Sequence, residues 1–588
     1  MVAAGIGLGG IGLYVVLARY GPEHNDSSNS RVWPYLLGSL LICCMAWLAF
    51  ALRSEQYVKP LAYYVLMAIA TGLAFYGTLK SRNRTQFYMV VGIACFVGLS
   101  HIWTEHLLFP GSLIGIDPWT HQARVLEQPG LSSLLRLGGS LSLMHLYLSP
   151  AVNLLGVSYK WASLVLVGSV QTVGIIVLTF LLGRILWNEK VGCVACLMVA
   201  SANWVIFFGG WIIPNSLGAL YSLALVFLVL KVGRDDTRKL LAPVLLTVLV
   251  AYATGVIAAV WVLGTLACLW VLPTLLDETL SAKDKARKMG RLLVAPSLGV
   301  LVVVIASQIT ALGDSLRTAI DAGGFNPSYG MTTYAIGAAP TPEGAPISAL
   351  ALDGRVFGEL VAGSLGMLLY IGLAVTGCLL ALRRTTKPAL KSFIVLGVAV
   401  LCIGFFPPLF GFSLIEHRWW YFAQVLLAIP LGVALVSMAS HRRAIMTVVL
   451  VSVVVFLSTI GLMSNMTNRA LSPNLIVRYA FTKGEAEALA AIPAHGSLVI
   501  GTDPIFQNFV NAYSHNKVIH IADEILSGDF SGSQADIIIL RSALSNEPFG
   551  FGGGTIYRLE YDILALIKQQ GYRKLWENKE VVCLIRRG

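Results

Sequence analysis

Long apolar runs alternate with short polar breaks from the N-terminus to about residue 462. An apolar run of about 20 residues crosses the hydrocarbon layer of a bilayer as a helix. The pattern therefore predicts a polytopic α-helical membrane protein with about 13 to 14 transmembrane helices. The approximate span cores are 2–18, 34–52, 61–79, 87–103, 160–183, 191–208, 212–230, 240–254, 256–276, 292–312, 358–382, 392–412, 420–439 and 444–462.

The composition agrees with this setting, because 56% of the residues are apolar and only 12% are charged. A soluble domain carries about twice that share of charge. After the last span, charged residues, Asn and Gly return, which predicts a small soluble α/β domain. Its predicted helices are 485–491, which follows a cap at Thr482, 504–513 and 562–570, and its predicted strands are 497–501, 517–521, 535–541, 572–576 and 580–586.

The patterns predict transmembrane helices over residues 1–463, with two large loops, 104–150 and 313–357. Residues 464–588 form the soluble domain.

The orientation follows from the basic residues, because short loops rich in Lys and Arg stay on the cytoplasmic side. Basic clusters fall on alternate loops, at 80–84, 184–190, 231–239, 283–291, 383–391 and 442–443. The two large loops, a short turn near Trp211 and the C-terminal domain are then extracytoplasmic in a multi-pass protein of the cell membrane. The net charge of +12 reflects the inside loops, so nucleic-acid binding is not indicated.

The segment from Gly115 to His121 places a carboxylate and an imidazole in a short polar loop between apolar segments. Pro118 disfavours helix at Asp117, which leaves that carboxylate on a turn. Asp117, His121 and Arg124 are spaced to share one face of a short helix. Asp117 can accept a proton from an attacking hydroxyl or hold a divalent cation, or it can simply cap the helix.

Other polar groups are predicted near the same surface. Glu105 and His106 end the preceding span, and His145 lies in an apolar stretch, 131–148, that is expected to lie in the interface. Each of the three is also explained as an ordinary polar residue at a helix end.

A late span begins with Glu416, His417, Arg418, Trp419, Trp420 and Tyr421. A guanidinium at headgroup level can pair with a phosphate, and aromatic rings anchor a helix end. An ordinary Arg and Trp belt is the alternative reading.

The layout and three of these motifs resemble the GT-C superfamily of polyprenyl-phosphate-dependent glycosyltransferases. The segment 109–121 is similar to the aspartate-bearing outer loop of archaeal and bacterial members, and His145 to Pro150 resembles the second half of that loop. The stretch from Glu416 to Pro430 resembles the start of a late span in the same family.

The resemblance implies inverting transfer of a sugar from a polyprenyl-phosphate donor to a glycan, lipid or protein acceptor at the outer face. Asp117 would be the catalytic base, and Arg418 would hold the donor phosphate. The further substrate-binding candidates are His121, Arg124, Glu105, His106, His145, Glu416, His417, Trp419 and Tyr421.

Departures from the family narrow this expectation. The outer loops carry no D-x-D pair, which argues against a divalent metal as a cofactor. Three predicted spans precede the loop that resembles the family's first outer loop, so the resemblance implies additional N-terminal transmembrane helices in residues 1–86 and a GT-C-like transmembrane module in residues 87–463. The tail lacks a W-W-D-Y-G motif, which disfavours transfer to protein asparagine. The alternatives are a polytopic lipid or glycan transporter and a scaffold that binds partners. A transporter is expected to carry repeated halves and ionisable residues at mid-membrane depth.

Overall fold

A computed structural model describes residues 32–586 with several gaps. The three longest gaps are 128–142, 233–243 and 293–346. Within the described residues, seven helices are long and apolar enough to cross a membrane, and an eighth crossing counts if one bent pair is a single span. These seven are Trp33–Ala51, Leu61–Lys80, Arg84–Leu108, Tyr159–Leu186, Gly358–Arg383, Pro388–Phe406 and Arg418–Ala439. The predicted polytopic helical class with a small C-terminal sheet is confirmed.

The helices in chain order are α1 (Trp33–Ala51), α2 (Leu61–Lys80), α3 (Arg84–Leu108), α4 (Asp117–Glu127), α5 (Leu143–Asn153), α6 (Tyr159–Ser163), α7 (Val170–Leu186), α8 (Glu189–Ala200), α9 (Asn203–Gly210), α10 (Leu217–Val232), α11 (Val256–Leu275), α12 (Ala282–Leu292), α13 (Gly354–Arg384), α14 (Pro388–Leu409), α15 (Glu416–Ser440) and α16 (Ala444–Thr459). A π-helical turn, Leu164–Ser169, joins α6 to α7.

Two predicted spans, 2–18 and 292–312, lie outside the described residues, and 240–254 is described only in part. Three further predicted spans, 212–230, 256–276 and 444–462, correspond to α10, α11 and α16. Their apolar parts are shorter than the seven long helices and comprise Leu217–Lys231, Trp261–Leu275 and Ala444–Thr459. The predicted span 191–208 is bent by 57° between α8 and α9.

Helix α15 is the most buried of the seven long apolar helices. It packs against α13, α14 and α8. Close approach is possible because small residues face it: a Cβ on Gly377 of α13 would lie 1.8 Å from the carbonyl oxygen of Pro430. Arg418 lies in the first turn of α15, so packing of this buried helix against its neighbours fixes the position of the Arg418 backbone.

The tail builds a five-stranded sheet with the strand order β3-β2-β4-β8-β7. The first three strands are parallel, and β8 and β7 form an antiparallel hairpin at one edge. The strands of this sheet are β2 (Val499–Thr502), β3 (Lys517–His520), β4 (Ile537–Arg541), β7 (Tyr572–Glu577) and β8 (Val581–Arg586), and the tail helices are α17 (Lys483–Ala488), α18 (Pro504–Tyr513), α19 (Ala522–Ser527), α20 (Ala543–Asn546) and α21 (Ile563–Gln569).

A second, three-stranded sheet joins the large loop to the tail. Strand β1 (Ile347–Ala349) pairs antiparallel with β6 (Ile556–Leu559), which also pairs with β5 (Phe549–Gly550). The sequence patterns predicted none of these three strands. The pairing places part of the loop 313–357 and the tail on the same side of the helical bundle.

Candidate active site

The segments that the charge pattern assigns to one side meet in the structure. The backbone N–H of Gly115 donates to the carbonyl oxygen of Tyr479 at 2.8 Å, and the N–H of Phe481 donates to Oγ of Ser112 at 2.9 Å. The loop 104–150 is thus held against the tail by two hydrogen bonds. We name residues 478–482, which supply both contacts, the connecting segment.

Gly115 has a backbone conformation that favours glycine, with φ of +96°. A Cβ at this position would lie 2.5 Å from the indole of Trp211, so a larger residue would also collide with that ring. Trp211 in turn stacks on Phe207 with ring centroids 5.2 Å apart and contacts the ring of Tyr479 at 5.5 Å. The glycine therefore lets the loop backbone lie directly on an aromatic wall.

Asp117 is the first residue of α4 and lies two positions after this glycine. The residue is exposed to solvent, yet enough protein lies around its carboxylate for burial to act on it. Burial raises the pKa of Asp117, while the charge of Arg418 and a hydrogen bond from the Trp211 indole lower it in part. The balance leaves the pKa above its ordinary value, which suits a general base.

Arg418 is half-buried and close enough for its charge to act on Asp117. Its Nε is buried without a hydrogen-bond partner in the described part of the chain. A buried donor left without an acceptor costs free energy, about 1–3 kcal/mol, unless a ligand supplies one.

His121 on α4 and His145 on α5 form a pair. Nδ1 of His121 and Nε2 of His145 are 3.0 Å apart, so one ring donates a hydrogen bond to the other. Burial lowers the pKa of His121 to about 3, helped by His145 and Arg124, and burial and Arg124 lower the pKa of His145 to about 4. Both imidazoles are therefore neutral at pH 7. Arg124 lies near both rings, since its charge acts on each of them. The predicted shared face of Asp117, His121 and Arg124 stays a prediction.

Glu105 lies elsewhere, buried in an ion pair with Lys59 and accepting a hydrogen bond from Thr467. It ties the start of α2 to the end of α3 and to the residues after α16. Its predicted role in substrate binding stays a prediction, but the contacts seen are structural.

His106 is buried, and its Nε2 donates to the carbonyl oxygen of Gly210, 3.1 Å away. This bond holds the end of α9 just before Trp211. Lys160 is also buried, and its Nζ donates to the carbonyl oxygens of His106, at 2.8 Å, and of Phe109. A cation at the C-terminal end of α3 satisfies carbonyls that the helix leaves free.

Tyr421 is fully buried, and its hydroxyl donates to the carbonyl oxygen of Ser216 and accepts from Gln171, at 3.2 and 3.1 Å. It supports the turn that follows Trp211. Trp419 contacts Trp261 edge to face, with centroids 5.5 Å apart. The side chains of Glu416 and His417 lie outside the described residues.

The sequence reasoning passed over three residues that shape the site: Trp211, Tyr479 and Lys160. The first two contact the aspartate loop, but an isolated aromatic carries no periodic signal. Lys160 carried a signal, since a lysine at the start of an apolar span is costly unless it is paired.

In the described residues no three His, Cys, Asp or Glu side chains are grouped so that they could hold a metal ion. Most of the loop 313–357 lies outside that description. The role of a metal therefore stays a prediction.

No family model and no curated protein matches the sequence. The chain is similar to solved structures of the oligosaccharyltransferase from Archaeoglobus fulgidus. One of these, a complex with Zn and sulfate, has a TM-score of 0.48 and 12% identity over 77% of this chain and 68% of that chain. Another, AglB with an inhibitory peptide and a dolichol-phosphate, has a TM-score of 0.49 and 10% identity over 78% and 69%.

The chain is also similar to ArnT from Cupriavidus metallidurans bound to undecaprenyl phosphate, with a TM-score of 0.46 and 13% identity over 85% of this chain and 97% of that chain. These identities and TM-scores are too low to assign the chain to either group.

Proposed function

We propose that this protein transfers a sugar from a polyprenyl-phosphate donor to an acceptor hydroxyl at the outer membrane face, with inversion at the anomeric carbon. The observation that carries the proposal is the arrangement of Asp117 and Arg418. A solvent-facing carboxylate of raised pKa lies in the field of a guanidinium whose Nε has no partner among the described residues.

The chemistry is a single displacement. Asp117 takes the proton of the acceptor hydroxyl as its oxygen forms a bond to the anomeric carbon. The bond from that carbon to the phosphate oxygen breaks, and the electron pair leaves with the polyprenyl phosphate. Arg418 donates hydrogen bonds to this phosphate as its charge grows, which lowers the barrier. Trp211 holds the carboxylate in place.

The domain boundaries and the side of the membrane belong to the same proposal. We assign residues 1–86 to additional N-terminal helices, 87–463 to the transferase module and 464–588 to an extracytoplasmic domain. The distribution of basic loops supports this side. A membrane-impermeant thiol reagent added to intact cells should label Glu577→Cys and not Lys283→Cys, and the reverse result would invert the topology.

The activity test uses the full chain in lipid nanodiscs, labelled polyprenyl-phosphate sugars and envelope fractions as acceptors. Loss of a general base lowers a rate by about 10²- to 10⁴-fold, which is the loss expected of Asp117→Asn. The matched control is Asp523→Asn, an exposed carboxylate on α19. Equal transfer by Asp117→Asn and the native chain would remove Asp117 from the mechanism.

Arg418→Ala tests the phosphate contact. A hydrogen bond to a charged group contributes about 1.5–3 kcal/mol, so we expect the KM for the donor to rise by about 10- to 100-fold. The KM for the acceptor should change little. Arg573→Ala, at an exposed position of β7, is the control. A donor KM that stays at the native value would refute the phosphate role, and movement of lipid-linked sugar without transfer would favour a transporter.

A further inference from the structure

A cavity of about 330 Å³ lies between the tail and the membrane-facing part of the chain. Neither Asp117 nor Arg418 lines it. Its size is at the lower end of the range of small-molecule pockets, roughly 300–1,000 Å³. One wall is formed by Tyr57, Val58 and Phe109, and the other comes from the connecting segment, from α17 and α20, and from the turn between β7 and β8.

The charges of the lining make an anionic ligand unfavourable. Glu485, Glu547 and Glu580 face two cations, Arg478 and Lys579. The guanidinium of Arg478 is already engaged: it donates to Glu485 at 2.8 and 2.7 Å and to Glu547 at 3.3 Å. The lining therefore carries one net negative charge, and its buried cation is neutralised. No three acids of the described residues are grouped for a metal ion either.

The remaining surface offers aromatic and hydroxyl groups. Tyr57 stacks on Phe109 with ring centroids 5.0 Å apart and an angle of 17° between the rings. Thr467, Thr482 and Ser542 add hydroxyls to the wall. These hydroxyls already donate to Glu105, to Glu580 and to the carbonyl oxygen of Lys579, so they meet a ligand as hydrogen-bond acceptors. Hydroxyls and carboxylates exchange hydrogen bonds with the hydroxyls of a ligand, and an aromatic wall packs against its C–H groups. A saccharide presents both kinds of surface.

We propose that this cavity binds a saccharide that is uncharged or carries an amine, and that it excludes acidic sugars. The proposal stands independently of the transfer reaction, because it concerns binding at a place that the Asp117 site does not touch.

The cavity is nevertheless connected to the aspartate loop. Arg478 and Thr482 line the cavity, while Tyr479 and Phe481, between them in the connecting segment, hydrogen-bond to Gly115 and Ser112. A ligand in the cavity therefore contacts the two ends of the segment that holds the loop.

The test measures binding of methyl glucoside, methyl glucosaminide and methyl glucuronide to the full chain in nanodiscs by ligand-observed NMR. The first two should bind saturably and the glucuronide should not. Ala543→Trp fills the cavity and should weaken binding at least about tenfold. Ala565→Trp, at an exposed position of α21, is the control and should bind as the native chain does. Absence of binding by all three glycosides, or equal binding by Ala543→Trp, would overturn the proposal.

A second variant avoids dependence on the fold of Ala543→Trp. Lys579 is exposed, so Lys579→Glu should fold normally and make the cavity more negative. Binding of the glucosaminide should tighten several-fold relative to the glucoside, and Lys574→Glu should leave the ratio unchanged. An unchanged ratio in Lys579→Glu would refute the charge argument. Asp117→Asn should retain binding, which separates this result from any failure of the proposed transfer.

Discussion

Two arginines of this protein have opposite surroundings. Arg478, in the connecting segment, donates to Glu485, to Glu547 and to the carbonyl oxygen of Ala480. Arg418, at the start of α15, has a buried Nε with no partner in the described residues. The guanidinium of Arg478 is therefore hydrogen-bonded within the fold, whereas Nε of Arg418 has no acceptor in the described residues. This difference is the reason that the proposed function assigns the donor phosphate to Arg418 and not to Arg478.

The acids differ in the same way. Asp503 is buried, takes a bidentate pair of hydrogen bonds from Arg541 at 2.9 and 2.7 Å, and caps α18 through the N–H of Phe506. Asp117 faces solvent, and its pKa is raised because burial outweighs the charge of Arg418. The carboxylate of Asp503 is therefore engaged by partners within the fold, whereas Asp117 lies where a ligand can reach it.

The largest expected effect concerns the structural pair. Arg541→Met leaves the carboxylate of Asp503 buried without its partner, which costs about 3–5 kcal/mol. Hydrogen exchange of the full chain should accelerate strongly in β2 and β4, and Arg573→Met, on the exposed face of β7, should not change it. Unchanged hydrogen exchange in Arg541→Met would contradict the structural role of Asp503 and with it the contrast between Asp503 and Asp117.

Gly115→Ala tests the aromatic wall. The substitution forces an unfavourable φ, a strain of about 1–3 kcal/mol, and pushes a methyl group into Trp211. We expect lower transfer activity with little effect on the thermal stability of the tail, because the displaced groups hold Asp117. Gly111→Ala, where a Cβ would meet nothing within 4 Å, is the control. Full activity of Gly115→Ala would show that the loop does not depend on this contact.

The pH dependence of kcat/KM tests the state of Asp117. The base acts when deprotonated, so activity should fall about tenfold for each pH unit below its pKa. Since this pKa is raised, the fall should begin above the ordinary value of 3.8. Arg418→Gln removes a charge that lowers the pKa and should move the acid limb to higher pH in the residual activity. If the acid limb of Arg418→Gln does not move, the charge of Arg418 does not act on the group that titrates.

The smallest effect is expected at the surface. Lys574 and Glu577 form an ion pair at 2.6 Å, with side chains 50% and 44% exposed. Exposed pairs contribute about 0–1 kcal/mol, so Lys574→Met should leave thermal unfolding of the full chain nearly unchanged. A large loss of stability in Lys574→Met would mean that burial does not explain why the pair of Arg541 and Asp503 contributes more than an exposed pair.

The sequence predicts elements that carry their own local signals. Helix α18 has the predicted bounds, because Asp503 caps it and Pro504 fits its first turn. The capping box of Thr482 and Glu485 and the hairpin of β7 and β8 also match the predictions. The proximity of Asp117 to Arg418 was expected from two short motifs and the charge pattern, although the roles of both residues stay predictions.

Features that depend on distant partners escaped the sequence analysis. The bend between α8 and α9 falls at Ser201 and Ala202, and the two polar residues there, Ser201 and Asn203, are too few to end the apolar run of a predicted span. Glu105 was taken for an interfacial acid because Lys59, its partner, lies 46 positions away. Strand β1 pairs with β6 from the far end of the chain, and a three-residue strand is too short to show alternation.

The connecting segment has a consequence for the design of chimaeras. Tyr479 in this segment accepts a hydrogen bond from Gly115 in the loop before α4, and Arg478 and Thr482 line the cavity. Replacing the C-terminal domain with one from another protein would therefore also remove the support of Gly115. A functional exchange has to carry residues 109–115 along with the new domain, so these two distant stretches of sequence are inherited as one unit.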